Sequence, residues 1–381
     1  TGIVRDKLGR KMSKSLGNSP DPIELMQKYG ADGVRVGMLL CSPAGNDLPF
    51  DESYCEQGRN FSNKIWNAFR LIKGWNLTPN PSPTGEGGQP QGNKIAVDWF
   101  EAKFNNQLEY INDLYSKYRI SEALMATYKL VWDDFCAWYL EMVKPEFVDG
   151  KSLPIDKATH DATIRFFEKL LQVLHPFMPF ITEELWHLIR DRKEKDCILI
   201  SEWPKEKKYN EEIIFKFDTT RNIIQMVKTY RHTHNVSPKE KILLFIKTSR
   251  ELYNEFHNDI IIKIANLDKI DYIDRKIENA FYQVLTVTDT YSNSESNVGE
   301  IQIKQFDFFI PLPVHSRSEE KEKLSKELEY NQGFLVSVQK KLANERFVQN
   351  AKPEVIELEK KKQADAEAKI KAIQEQLESL K

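Results

Sequence analysis

Cysteine is scarce in this chain: four residues in 381, Cys41, Cys55, Cys136 and Cys197, scattered with no Cys-x-x-Cys pair. That spacing argues against both a disulfide framework and a zinc-ribbon site. No apolar run approaches the roughly eighteen residues that a membrane-spanning helix needs, and no secretory signal is visible at the first residue. A dominant charge is missing too. With a net charge of −2, any nucleic-acid contact must rest on local patches. His232 and His234 have no Cys or carboxylate partners at ligand spacing, so no metal site is expected. Reduced cytoplasm is the expected compartment, with no membrane partner.

What is present begins with Lys11-Met12-Ser13-Lys14-Ser15, a basic, hydroxyl-bearing stretch between Gly9 and Gly17. Two ammonium groups on such a loop can converge on one polyanion while hydroxyls and amides add hydrogen bonds. A solvated basic turn is the alternative reading. From Asp21 a helical pattern starts, with Asp21 suited to the cap and Pro22 to the first turn. A length of 381 residues suits two or three domains. Residues 43 to 200 carry amphipathic stretches rich in Trp, Phe and Leu, the pattern of a helix bundle. An exposed loop is expected at Thr78 to Asn93. On the helix predicted from Gly58 to Ile72, Phe61, Ile65, Phe69 and Ile72 share one side. Asn60, Lys64, Asn67 and Leu71 cluster roughly 130° away. That polar stripe suits an unstacked single-stranded RNA loop, or is simply solvated.

Further on, β-branched runs at Ile242 to Ile246 and Ile301 to Ile303 stand between helical patterns at Thr219 to His232 and Ser249 to Asn266. They predict a small α/β module, with Tyr291 to Gly299 as a hairpin turn. Past Ser316, Leu324, Leu328, Leu335, Val338 and Leu342 follow a heptad seam. After a break at Asn344 to Pro353 a second seam starts at Ile356 and reappears at Ile370, Ile373, Leu377 and Leu380, with Glu359 and Gln363 spoiling its middle. An antiparallel coiled-coil hairpin accounts for both seams; an oligomerising coiled coil with another chain is the alternative. The expected fold class is mainly α. Trp132, Trp138 and Tyr139 read as core, and His175-Pro176-Phe177-Met178-Pro179-Phe180, followed by Thr182-Glu183-Glu184-Leu185-Trp186, as a packed corner before a helix.

The five-residue loop, with Asp6-Lys7-Leu8-Gly9-Arg10 before it and Asp21-Pro22 after, resembles the signature loop of class I aminoacyl-tRNA synthetases. Tyr29-Gly30-Ala31-Asp32 and Arg35 fit the same class. Gly45-Asn46-Asp47-Leu48-Pro49-Phe50-Asp51 and the run from Gly58-Arg59-Asn60-Phe61 to Arg70 resemble its valyl branch rather than the isoleucyl or leucyl ones. Asn344-Glu345-Arg346-Phe347 and Ala351-Lys352-Pro353-Glu354-Val355 match the turn of that branch's C-terminal arm.

The resemblance implies the C-terminal part of an enzyme that activates valine with ATP, accompanied by Mg²⁺, and transfers it to tRNA(Val). It implies a catalytic-domain end at 1–42, an anticodon-binding helical bundle at 43–207, a small α/β module at 208–315 and a tRNA-binding coiled coil at 316–381. Lys14 is the chief catalytic candidate and Lys11 the second. Ser13 and Ser15 would orient the loop on ATP, and Gly9 and Gly17 would let it open and close. Lys64 is the first candidate for reading the anticodon, followed by Asn60, Asn67 and Arg70; on the arm the candidates are Lys340, Lys341, Arg346 and Lys352. The class's other ATP signature, a His-Ile-Gly-His-like word, is not found, and the chain opens on Thr1. A C-terminal fragment, monomeric and inactive alone, is therefore expected, with the amino-acid pocket and editing domain upstream. An isoleucyl or leucyl sibling and a stand-alone tRNA-binding module are the alternatives.

Overall fold

Local signals in the first third of the chain place its helices. In the computed structural model α1 spans Pro22–Tyr29, with the Asp21 carboxylate accepting from the Ile23 amide at 2.7 Å as an N-cap should. Next come α2 at Ala31–Leu40 and α3 at Glu52–Lys73, longer at its N-terminus than its polar stripe suggested. The structure describes residues 3–41, 47–77, 89–247, 257–275, 277, 282–292, 301–311, 314–344 and 353–379. Gly45, Asn46, Arg346, Lys352, Leu380 and most of the expected loop and turns fall outside that set. The chain divides into two units, Thr1–Asp218 and Thr219–Lys381.

In the first unit a short parallel ladder joins β1 (Val4–Arg5) to β2 (Leu48–Pro49). Helices α4 (Gln91–Ser116), α5 (Ile120–Lys129), a π-helix (Leu130–Tyr139), α6 (Leu140–Val143), α7 (Lys157–Leu174) and α8 (Pro179–Ile189) follow, with the hairpin β3–β4 (Phe147–Val148, Lys151–Ser152) before α7. The expected loop ends sooner than Asn93 because Gln91 to Asn93 already form the first turn of α4. Phe100 centres the core, with Phe135, Tyr139 and Phe166 at ring-centroid distances of 5.2, 5.0 and 5.0 Å. Such aromatic clusters contribute beyond area alone.

The corner at His175 to Phe180 is packed: Phe177 and Met178 are buried, and His175 Nδ1 lies 2.8 Å from the Thr182 hydroxyl. Two residues of α2 grip it from opposite ends. Asp32 accepts from the Phe180 and Ile181 amides at 3.3 and 2.8 Å, capping α8, while Arg35 donates to the Pro176 and Phe177 carbonyls at 3.1 and 3.2 Å. The two Asp32 bonds satisfy amides at the start of α8 that would otherwise be orphaned, and the two Arg35 bonds fix carbonyls of the corner itself. Burial pushes the Asp32 carboxyl up, against the opposing pull of those two amides.

Helix α9, Glu211–Thr233, whose residues from Thr219 onward belong to the second unit, starts earlier than the pattern suggested. The sheet has the order β6-β5-β8-β7. Strand β5 (Ile242–Lys247) pairs in parallel with β6 (Leu267–Ile273), across α10 (Asn258–Ala265). The antiparallel strands β7 (Tyr282–Ser292) and β8 (Ile301–Pro311) complete it. Of the helix expected at Ser249 to Asn266, residues 249 to 256 lie outside the described residues, and α10 is the described part, capped by Asn266, whose φ is 52°. Buried Arg231 donates to the carbonyls of Ala265, Asn266 and Ser237 at 3.2, 2.8 and 2.9 Å, tying α9 to the turn before β6.

The heptad pattern becomes two helices, α11 (Val314–Leu342) and α12 (Pro353–Ser379), packed on each other. Leu324 and Ile373 are buried, with Leu328 and Leu377 against them. Glu359 does not interrupt the second seam but occupies it: buried, it takes the Lys362 ammonium at 2.9 Å and faces Lys341 of α11 at 4.0 Å. Asn331 is the matching buried polar residue on α11. Such a group favours one register over its neighbours. The hydrogen bond from Lys362, opposed by burial and aided by Lys341, holds the Glu359 carboxyl below its ordinary 4.5. A lowered acid stabilises the fold above its ordinary value and loses that contribution as pH falls through the folded one. Thermal stability of the arm should thus fall below about pH 4.5, and Glu359→Gln should shrink the difference between circular-dichroism melts at pH 7 and in acid. An identical acid dependence in the variant would exclude this role.

Candidate functional site

The loop at 11–15 grows out of a hairpin. Met12 donates its amide to the Val4 carbonyl at 3.0 Å, and Gly9, at φ 75°, closes the turn. A carboxylate and an amide staple the loop. Asp6 accepts from the Leu8 and Arg10 amides, the Arg10 guanidinium and the Asn18 side chain at 2.8 to 3.0 Å. Asn18 in turn accepts from the Ser13 amide at 2.9 Å and donates to the Lys11 carbonyl at 3.2 Å. The Asn18 and Arg10 bonds hold the Asp6 carboxyl well below the usual carboxylate range. Met12 reaches the cluster of Leu25, Tyr29, Cys41, Phe50 and Cys55.

Ser13 then caps a single 3₁₀ turn, Lys14–Leu16, that ends at Gly17 with φ 62°. Left-handed backbone of that kind favours glycine. The Ser13 and Ser15 hydroxyls lie 3.1 Å apart. Lys11 and Lys14 are exposed, and among the described residues neither ammonium has a hydrogen-bond or ion-pair partner. The result is an anchored loop with two free cations at its surface.

The root of this loop leads into α3. Asp47 pairs with Arg5 and accepts from the Ile3 amide at 3.0 Å, Lys7 reaches Asp51 at 2.9 Å, and Asp51 caps α3 through the Ser53 amide at 2.9 Å. On α3 the side carrying Phe61, Ile65, Phe69 and Ile72 is buried, whereas Asn60, Asn67, Arg70 and Leu71 are exposed and Lys64 is half-buried. The Lys64 ammonium sits 5.4 Å from the centre of the Trp132 ring. Trp132, read from sequence as core, is instead partly exposed, whereas Trp138 and Tyr139 are buried. The π-helical pitch is the reason, since residues that share a face at α-helical spacing diverge when a turn widens.

On the arm Lys340 and Lys341 are exposed, with Lys341 4.0 Å from Glu359. Among the described residues, no group of His, Cys, Asp and Glu gathers as metal ligands would, and no helix is long and apolar enough to cross a membrane.

Comparison with known proteins accounts for these parts together. Residues 1–51 match "tRNA synthetases class I (I, L, M and V)", 98–249 "Anticodon-binding domain of tRNA ligase" and 318–381 "Valyl tRNA synthetase tRNA binding arm". Valine–tRNA ligase of Parabacteroides distasonis is 47% identical over 380 residues, covering 100% of this chain and 40% of that protein. The chain belongs to the valine–tRNA ligase family. The Christiangramia forsetii member is 46% identical over 381 residues, again 100% of this chain and 40% of the relative; that of Aquifex aeolicus is 32% identical over 406 residues, covering 100% and 32%. The chain thus spans about 40% of the length of the relatives first matched and corresponds to their C-terminal region. Among solved structures, a LeuRS–tRNA–LeuAMS ternary complex from Agrobacterium radiobacter K84 aligns at a TM-score of 0.38 and 19% identity, over 65% of this chain and 25% of that one.

Within this family framework the structure brings Lys11, Ser13, Lys14 and Ser15 together on one loop, and Asn60, Lys64 and Asn67 onto one helix face; Arg70 lies to its side. Three contributors escaped sequence reasoning: Asp6 and Asn18, which staple the loop, and Trp132, whose ring faces the Lys64 ammonium. Asp6 opens the run Asp6-Lys7-Leu8-Gly9-Arg10 and has the look of an ordinary turn carboxylate. Nothing local in the sequence links Asn18 to it.

Proposed function

We propose that this chain is the part of a valine–tRNA ligase that supplies the ATP-phosphate loop, the anticodon-reading helix and the tRNA-binding arm of an enzyme that joins valine to tRNA(Val). The observation that carries this reading is the loop itself, two unpartnered ammonium groups on a stretch stapled by Asp6 and Asn18. In the first half-reaction the valine carboxylate attacks the α-phosphate of ATP and pyrophosphate departs, so negative charge grows on the leaving oxygens. Two unit charges about 4 Å apart attract by about 4 kcal/mol at an effective dielectric near 20. Lys14, seconded by Lys11, accelerates the step to the extent that it meets those oxygens more closely in the transition state than before it. Ser13 and Ser15 orient the turn. Mg²⁺ would enter as the ATP complex; the loop's ammonium and hydroxyl donors suit phosphate oxygens. Exposed Leu8, Leu16 and Ile23 give the same segment an apolar surface for the rest of the enzyme. These residues would be inactive alone, and the enzyme cytoplasmic and monomeric, since α11 and α12 cover each other's seams.

The test is filter binding of tRNA with a valine anticodon and with anticodon mutants. Lys64→Ala should weaken the cognate complex about tenfold, within the range of about 1 to 3 kcal/mol that a good side-chain bond to a base edge supplies, and should blunt the discrimination against mutants. Equal affinities for wild type and variant would reject the assignment of α3. The arm has its own expected signature. Removing residues 316–381 should flatten the dependence of log affinity on log salt by about 0.7 to 0.9 for every phosphate that the arm neutralises, and an unchanged slope would show that the arm touches no phosphate.

A further inference from the structure

Lys64 is half-buried, and among the described residues its ammonium makes no hydrogen bond or ion pair; what it meets is the Trp132 indole, 5.4 Å from nitrogen to ring centre. The indole stands on further aromatics. Trp132 stacks on Tyr128 with centroids 5.5 Å apart and planes 11° from parallel, and Tyr128 packs on Phe61 at 4.5 Å. Phe61 is fully buried and lies three residues before Lys64 on α3. One helix thus supplies both the base and the top of this stack, with α5 and the π-helix supplying the middle.

The chemistry of the support decides what it is for. A carboxylate beside Lys64 would occupy its N–H donors and cancel its charge. An aromatic face attracts the ammonium through the ring quadrupole alone, so the lysine is restrained while its donors stay available. Lysine also keeps considerable rotamer freedom when unsupported, and holding it beforehand reduces what binding must freeze out.

Resting on the reading of α3 as an RNA-recognition helix, we infer that Trp132 is a positioning residue, whose indole holds Lys64 where an unpaired base presents its acceptor edge. The π-helix is what brings the ring there.

A double-mutant cycle in the complete ligase tests this, read as the dissociation constant for tRNA with a valine anticodon and as kcat and KM for tRNA in aminoacylation. Trp132→Leu should weaken binding about two- to fivefold, the range of an exposed cation–π contact, through KM with kcat unchanged. Trp132→Phe, which keeps an aromatic face, should stay within twofold of wild type. Once Lys64 is Ala, Trp132→Leu should cost less than twofold more. An equal loss from Trp132→Leu in both backgrounds would mean that the ring acts through the fold and would overturn the inference. So would a loss from Lys64→Ala with none from Trp132→Leu, while leaving the reading of α3 intact. No loss from Lys64→Ala would remove that reading and this inference together.

Discussion

Lys14→Ala in the complete ligase should slow adenylate formation by about 10²- to 10³-fold, the usual effect of removing one preorganised donor to a developing oxyanion. The expectation rests on how little else is available to Lys14. Its ammonium has no partner among the described residues, and the turn that carries it is fixed at both ends, by the Ser13 cap and by Gly17. Met12 anchors the loop in a hydrophobic cluster. A lysine so placed meets a polyanion without first breaking an ion pair. Because the variant leaves the staple of Asp6 and Asn18 untouched, affinity for tRNA should not change. Pre-steady-state ATP–pyrophosphate exchange is the measurement; a loss smaller than fivefold would remove Lys14 from the reaction. Lys11→Ala should cost less, since Lys11 lies before the capped turn rather than within it.

Gly58→Ala should destabilise the first unit by about 3 kcal/mol, the upper end of the usual overpacking range of about 1 to 3. A methyl group at Gly58 would stand 2.5 Å from the Gly33 carbonyl oxygen and 2.9 Å from its Cα. Those atoms are backbone, so no side chain can swing aside. The facing helix cannot easily retreat either. At Gly37 a methyl would stand 2.7 Å from the Cys55 amide nitrogen, so α2 and α3 touch along two successive turns, while Asp32 and Arg35 bind α2 to the corner before α8. The strain must open the α2–α3 seam. Urea unfolding followed by tryptophan fluorescence measures the effect, and an unchanged midpoint and slope would show that the two helices separate at little cost. Since α3 starts at the root of the signature loop, adenylate formation should fall as well.

Much of this molecule is legible in its sequence because helices announce themselves by period and by caps. Asp21-Pro22 starts α1, the buried and polar sides of α3 separate along the chain, and the leucine seams of the arm find each other. The two lysines of the loop and the valyl-type words are equally plain. The sheet is less so. Strand β6 reads Leu267-Asp268-Lys269-Ile270-Asp271-Tyr272-Ile273, and its charged residues hide a strand that lies at the edge of the sheet. Glu359 has the look of a flaw in a heptad because a single helix does not show that Lys341 of the other one faces it.

The sequence by itself determined which segments coil and which residues carry charge, since these depend on neighbours a few positions away. Tertiary structure alone decided that Asn18 would clasp Asp6, that Asp32 would cap a helix more than a hundred residues downstream, and that Trp132 would leave the core to carry Lys64. Such contacts pair groups distant along the chain, and hydrogen-bond and quadrupole interactions act only when folding has brought those groups within a few ångströms.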